Sequence, residues 1–449
     1  MKKIIETFKN IWKIEDLRTR LLITILFVAI YRFGSFVVLP GINPDALTAL
    51  HQQTEGGLMS LLNMFSGGAF SNASVFALGI MPYISASIVI QLLAVAVPQF
   101  QKMQREGESG RRKINQYTRF LTIFILLFQA PTYLINLHAQ TYGSGAFMVG
   151  DPWWYLVCTT LILAAGSMFI LWLGERITDK GIGNGVSMII MIGIIARMPA
   201  ALGEELTSAL FNAEGGGLVK FLVEIIALLA VMALAIILVK ATRKVPVQYA
   251  KRIEGGRQVG GARQYIPLKL FAANVMPIIF AQAIMFIPLT LAQLNTDGSG
   301  VSGLVKPFLD HTSVPYNAVF VVLIVAFTYF YTAITMNPVQ MAEDMKRNNG
   351  FIPGVKPGKD TADYIDNVMS HITLPGSLFI AMIAIMPAFA SLFGIKQSFA
   401  QFFGGTSLLI LVGVVLDTLQ QIESHLLVRH YDGLLNSGHV RGQGNMSAY

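Results

Sequence analysis

The sequence predicts an all-α polytopic membrane protein with ten transmembrane helices. Three observations carry that prediction. Only 13% of the 449 residues are charged, about half the share usual in soluble domains. Apolar runs of roughly 20 residues, the length a helix needs to cross the hydrocarbon layer, recur about ten times. The segments between the runs alternate between basic and non-basic, as in a chain that weaves through a bilayer.

Taken in order, residues 1–20 come first. Ile4, Ile5, Phe8, Ile11 and Trp12 recur at helical spacing with Lys2, Lys3, Lys9 and Lys13 between them, the pattern of an amphipathic helix on a membrane surface. No small-x-small cleavage pattern follows, so no cleavable signal peptide is read here. Spans are predicted over Leu21–Leu39, Val75–Val97, Phe120–Leu137, Trp153–Leu173, Val186–Arg197, Leu218–Val239, Leu270–Leu291, Ala318–Thr335, Leu374–Phe393 and Phe402–Leu419. The fifth is short and needs residues from Ile182 and from Met198 onward to reach across.

Charge sets the orientation. Most of the 33 Lys and Arg lie before the first span, in the loops after even-numbered spans and in the tail. The other side holds Arg32, Arg197, Lys220, Lys306 and Lys396. The positive-inside rule then puts both termini in the cytoplasm, which requires an even number of spans. The spans divide five and five, 21–210 and 218–424, about a Gly-rich outer loop at 211–217, with a cytoplasmic tail at 425–449. Because five is odd, the two halves are inverted relative to each other, an arrangement that puts function at their interface.

Two cytoplasmic loops are long, about 240–269 and 336–372. The first carries Lys251, Arg252, Arg257 and Arg263 among Gly255, Gly256, Gly260 and Gly261; the second carries Lys346, Arg347, Lys356 and Lys359 around Pro353 and Pro357. They read as turn-rich docking protrusions for a large partner, or as positive-inside loops resting on lipid headgroups. Base-stacking aromatic patterns are absent from the sequence there, so contact with RNA would run through phosphates.

The stretch Asn63–Leu93 is unlike the rest. Ser66, Gly67, Gly68, Ser71, Asn72 and Ser74 make a small, polar, uncharged start that reads as running straight into an apolar helix with Pro82, Ser85 and Ser87. Weak helix at membrane depth is tolerated only inside protein or beside water, so a cavity is expected at this point.

Enzyme chemistry is not expected. The seven histidines show no HExxH spacing and do not pair with the lone Cys158, so neither a metal nor a cofactor is predicted. Gly181-Ile182-Gly183-Asn184-Gly185 lacks the lysine and the preceding strand of a phosphate loop. Ionisable groups within spans are few. Arg32 and Lys220 sit where a span meets the outer interface and can snorkel; Glu224, one turn beyond Lys220, can pair with it; Asp417 and Glu423 lie at the end of the last span. No relay emerges, which weighs against the rival class, an ion-coupled secondary transporter with inverted repeats. A non-transporting scaffold is the third class. What remains is apolar: Ile80, Ile84 and Ile88 share one helical face, as do Val186, Ile190 and Ile194. Such stripes serve as packing or lipid-facing surface, or as a hydrophobic constriction that excludes water and ions.

Five segments carry a family resemblance: FSGGAFSNASVFALGIMPYISASIVIQLL (65–93), EGESGRRKINQYTR (106–119), GERITDKGIGNGVS (174–187), YTAITMNPVQMAEDMK (331–346) and FGGTSLLI (403–410). The chain closely resembles, end to end, the SecY/Sec61-alpha family of protein-conducting channels. The resemblance implies a clamshell of two five-helix halves hinged near 211–217, set in a bacterial inner membrane. Unfolded secretory polypeptides pass through its centre and hydrophobic segments leave sideways into lipid. It implies a half-helix plug over about 60–73, including Asn63, Phe65, Ser66, Gly67, Gly68 and Ser71. It implies a pore ring at Ile80, Ile84, Val186, Ile190, Ile279 and Ile410. A lateral gate falls between the second and third spans and the seventh and eighth, with Ser85, Gln91, Gln129, Asn274 and Gln282 along the seam. The implied partners are the small membrane subunits SecE and SecG, the SecA motor ATPase, the ribosome, signal sequences, nascent chains and membrane lipids. Two departures stand out. Lys356-Pro357-Gly358 replaces the family's usual Arg-Pro-Gly, keeping charge without the planar guanidinium fork. Phe271 stands where an asparagine is common, with Asn274 about one turn later.

Overall fold

The computed structural model describes residues 14–47, 62–140, 152–211, 217–249, 252–254, 257–259, 263–270, 275–294 and 312–436. The amphipathic segment expected before Lys13, the tip of the outer loop at 212–216, Lys251 and Asn274 lie outside them. Seven helices are long and apolar enough to cross a membrane, or eight if a bent pair is one span, among the described residues. Their outward faces carry exposed Phe124, Phe128, Leu161, Leu222, Ile226 and Val322. A surface that apolar is stable only against lipid, so the chain is a multi-pass membrane protein.

The first helix, α1 (Glu15–Gly34), opens with Glu15 and Asp16 and closes with Arg32, matching charge to the helix dipole. The second predicted span is corrected. Residues 66–80 form turns and one antiparallel bridge, Ser74 to Val38, not helix, and α2 (Met81–Ala96) starts only after Gly79, which has φ +57°. The polar start is thus separated from the span by a fold of its own. Pro82 opens α2 at a position where its missing N–H costs nothing. Pro98 closes it, and the chain bends 103° into α3 (Pro98–Arg105). Then follow α4 (Glu108–Gln140), α5 (Pro152–Lys180), α6 (Gly185–Phe211) and α7 (Gly217–Lys240). The short fifth span of the sequence reading extends well past Arg197, continuing through Pro199.

The all-α expectation is also corrected. After α7 come β1 (Thr242–Tyr249), β2 (Arg252–Glu254), β3 (Arg257–Val259) and β4 (Arg263–Lys269). β1 pairs antiparallel with β4 in the register Val245↔Ile266, and β2 pairs with β3. Pro246 and Pro267 argue against strands, yet both fit. Pro267 lies on β4, an edge strand; Pro246 lies on β1 where the third strand, β5 (Gly350–Phe351), does not reach, since it pairs only with Gln248 and Tyr249.

The helix α8 (Met276–Leu294) leads to α9 (Val314–Thr335) and then to α10 (Pro338–Arg347), capped by Asn337 Oδ1, which accepts from Gln340 N at 3.2 Å. The second long loop therefore contains α10, β5 and the start of α11 (Lys359–Leu392), and is not a turn-rich coil. Val245, Val247, Leu268, Met345, Ile352, Ile365 and Met369 pack as one small core, so the two loops form a single outcrop. After α12 (Gln397–Ala400), the last helix, α13 (Gly405–Asn436), runs beyond the predicted start of the tail at 425.

The long helices form two sets. α1, α2, α4, α5 and α6 pack together, as do α7, α8, α9, α11 and α13. Along one edge α6 lies against α13 and α7; along the other, α2 and α4 meet α8.

Candidate pore constriction

Where the two sets meet, apolar side chains from both fill the centre. Ile80 and Ile84 from the start of α2, Ile190 from α6 and Ile410 from α13 are buried in one cluster, with Val186 and Ile279 packed against it. All six residues of the predicted ring thus belong to one large apolar cluster, drawn from four elements far apart in sequence, and four of them, Ile84, Val186, Ile190 and Ile279, line one cavity of about 330 Å³. Its mouth is polar: Asn115, Arg119, Glu175, Asp179 and Asn184. Arg119 holds Glu175 through a two-pronged ion pair, with Nε–Oε1 at 3.0 Å and Nη2–Oε2 at 2.7 Å, tying α4 to α5 at the rim. The cavity thus sets charged and polar side chains opposite an apolar wall.

Residues 62–73 lie on the other side of that wall. α6 orders the stack: Val186 and Ile190 face the cavity, while Gly193, about 10 Å further along the helix from Val186, touches the polar segment. A Cβ at Gly193 would sit 2.7 Å from the Phe65 carbonyl oxygen and 3.2 Å from Gly67 N, so only glycine permits this approach. The segment is internally bonded. Asn63 Oδ1 accepts from Ser71 N at 3.1 Å, Gly68 N donates to Asn63 O at 2.8 Å, and Ser66 Oγ accepts from Phe70 N at 3.1 Å. Ser71 Oγ donates to Gly68 O at 3.1 Å, and the turn uses φ +66° at Gly67 and +91° at Gly68. Its carbonyls are held from outside by Arg32 Nη1 on Gly67 O at 2.6 Å, Tyr31 Oη on Ser66 O at 3.3 Å and Tyr133 Oη on Phe70 O at 2.9 Å.

The sequence reading missed these fasteners. Arg32, read as a snorkelling residue, instead turns onto the segment and stacks over Phe36 at 4.7 Å. Tyr31, Tyr133 and Gly193 gave no local signal, because their roles depend on long-range contact. The Lys220–Glu224 pair is present at 3.8 Å.

The seam residues bond close to home. Ser85 Oγ donates to Met81 O at 3.2 Å, and Gln91 Nε2 donates to Ser87 Oγ at 3.1 Å, both within α2. Buried Gln282 on α8 reaches Tyr316 Oη on α9 at 3.5 Å, and Gln129 on α4 is half-buried. On the outcrop, Lys346, Arg347, Lys356 and Lys359 are exposed, and Arg252, Arg257 and Arg263 lie on its strands. Among the described residues, no group of three or more His, Cys, Asp or Glu is arranged to hold a metal.

Fold and site together define a multi-pass membrane protein whose two helix sets meet at an apolar centre beside a cavity. A family model described as SecY matches residues 74–419. Relatives named protein translocase subunit SecY, from Streptomyces scabiei and Mycobacterium tuberculosis, are each 40% identical over 444 and 448 residues, covering 96% of this chain and 100% of the relative. The chain belongs to the SecY family. Solved structures agree in fold. One described as a protein-conducting channel superposes with TM-score 0.62 at 19% identity, covering 91% of this chain and 92% of the other. A second, described by a plug domain of SecY that stabilises the closed channel and maintains a membrane seal, gives 0.60 at 19% and the same coverage. A third, Sec61 in a canine ribosome–channel complex, gives 0.58 at 18%, again with 91% and 92% covered.

Proposed function

We propose that this chain is the central pore-forming subunit of a Sec translocon, passing unfolded secretory polypeptides across the inner membrane and releasing hydrophobic segments into lipid. The observation that carries it is the stacking of an open polar cavity, an apolar layer drawn from both helix sets, and a self-bonded polar wedge beyond. A transporter site needs polar ligands at the centre of the membrane; here the centre is isoleucine. In this reading α1, α2, α4, α5, α6, α7, α8, α9, α11 and α13 are the ten spans of the clamshell, both termini are cytoplasmic, and residues 60–73 are the plug.

The work is conformational. With the ring closed and the wedge seated, ions are excluded. A signal sequence brings an apolar segment of about ten residues, each favourable by roughly 0.3–0.6 kcal/mol on insertion, about 3–6 kcal/mol in all. That is comparable with the few kcal/mol separating two conformations of one protein. Intercalation between α2/α4 and α8 therefore shifts the chain toward an open state without nucleotide. Directional movement comes from a partner on the basic face, SecA or a ribosome, docked at the outcrop, while SecE and SecG brace the bundle within the lipid.

The test is protease protection of a model secretory protein in vesicles carrying the reconstituted complex. Protected full-length product that requires both this chain and its motor supports the reading. Uptake of a small solute by vesicles holding this chain alone, with no protected product, refutes it in favour of a transporter.

A further inference from the structure

The two edges where the helix sets meet are built differently. At the α2/α4–α8 seam, Ser85, Gln91 and Gln282 all bond inside their own set. Along α6, polar bonds cross from one set to the other at both ends, to α13 at one and to the 396–398 segment that leads into α12 at the other.

At the end nearer the outcrop, Gly183 N donates to Gln421 Oε1 of α13 at 2.8 Å. A Cβ at Gly183, whose φ is +83°, would lie 3.1 Å from Thr418 Oγ1, one turn away on the same helix. The turn that carries Gly183 is itself stitched to its own set. Ile182 N donates to Thr24 Oγ1 at 3.1 Å, Gly185 N to Thr178 Oγ1 at 2.8 Å, and Asn184 Oδ1 caps α6 through Val186 N at 3.1 Å. The Gly181–Gly185 motif, which imitates a phosphate loop in sequence, is thus a rigid bracket.

At the far end of α6, Ser398 Oγ donates to Glu204 Oε2 at 2.8 Å, Lys396 N to buried Glu205 Oε2 at 3.2 Å, and Lys396 Nζ to Glu204 O at 3.3 Å. The 394–398 segment is anchored in turn to α7, where Lys220 Nζ donates to Gly394 O at 2.9 Å. The contacts at Gly183 and Glu205 lie about 33 Å apart along α6, close to the thickness of the hydrocarbon layer.

We infer that the channel turns on a two-pin axis along α6 and α13, with Gly183–Gln421 as one pin and Glu204/Glu205–Lys396/Ser398 as the other, so that the covalent loop at 211–217 is not the sole pivot. Two fixed points define a line, and rotation about it opens the opposite seam while the joined edge keeps its contacts. The inference rests on the channel reading above and adds the residues that position the motion.

The experiment uses the reconstituted complex with Cys158→Ser as background and a cleavable thiol-specific cross-linker. One pair, Glu204→Cys with Ser398→Cys, replaces a pin by a covalent link. The other, Ser87→Cys with Met276→Cys, both lining the cavity, staples the seam. The pin link should leave translocation within about twofold of the uncross-linked complex, and the seam link should lower it about tenfold or more, restored by cleaving the linker. A pin link that blocks translocation as fully as the seam link overturns the axis while leaving the channel standing. If neither link has an effect, the channel reading falls with it. A second measurement covers the pins themselves: Glu204→Ala/Glu205→Ala/Gln421→Leu should raise idle ion leak about tenfold, and Glu205→Gln, which keeps an acceptor, should not. Equal leak in both overturns the axis.

Discussion

Gly193→Ala puts one methyl group where the polar wedge meets α6. The new Cβ would stand 2.7 Å from a carbonyl oxygen of Phe65 and 3.4 Å from that of Met64. Real Cβ atoms do not approach backbone that closely, and backbone cannot swing aside as a side chain does. The 64–67 turn must shift by several tenths of an ångström, which strains the 2.6 Å bond from Arg32 to Gly67 O. Overpacking costs about 1–3 kcal/mol, and a charge-assisted hydrogen bond is worth about 1.5–3 kcal/mol if lost. A closed state weakened by about 2 kcal/mol is left about 30-fold more often, at 1.4 kcal/mol per factor of ten. The assay is halide leak from vesicles carrying the complex without substrate. Gly203→Ala is the control: it lies on the same helix, with nothing within 4 Å of its new methyl. The Gly193 variant should leak about 30-fold above wild type and the Gly203 variant at the wild-type rate. Equal leak from the two, at equal amounts of inserted protein, would refute the role given to this contact.

Three further outcomes are expected. Tyr133→Phe removes the hydroxyl that donates to Phe70 O and should raise idle leak about fivefold for a loss of about 1 kcal/mol; an unchanged leak means the wedge is held elsewhere. Asn at Ile84, Ile190, Ile279 or Ile410 hydrates the apolar layer and should increase both ion leak and export of proteins with defective signals; no change in either at all four positions would end the constriction model. Lys356→Glu, reversing an exposed charge on the outcrop, should weaken capture of the motor or ribosome in pull-down at low salt, the difference from wild type shrinking as salt rises; identical binding at low salt counts against docking there.

Much of this was readable in the chain because membranes impose simple rules. Apolar length marks Leu218–Val239 as a span whatever its neighbours do, and α7 matches it almost end to end. Strand pairing in the outcrop was hidden because Pro246 and Pro267 argue against strands in isolation; only the partial reach of β5 makes them harmless. The helical first half of α11 was hidden by its charge, since Lys359 to Asp366 carry nothing a hydropathy reading would notice. At the site, Ile80, Ile84, Val186 and Ile190 showed as helical stripes, whereas Ile279 and Ile410 rested on resemblance alone. Tyr133 and Gly193 were invisible, because each acts on a segment more than fifty residues away.

The outcrop has a mechanical consequence. Ile365 and Met369 of α11 are bolted into its small core, and the same helix runs on through Pro375 and Pro387, burying Ile380, Ala381, Ile383 and Ala384 in the second helix set. A push on the outcrop would therefore act on the handle of a lever about 50 Å long, whose joint between handle and shaft is the turn around Pro375. Under the proposed docking, force from the aqueous phase would reach the buried helices as movement of α11, carried by helix and not by a floppy strap.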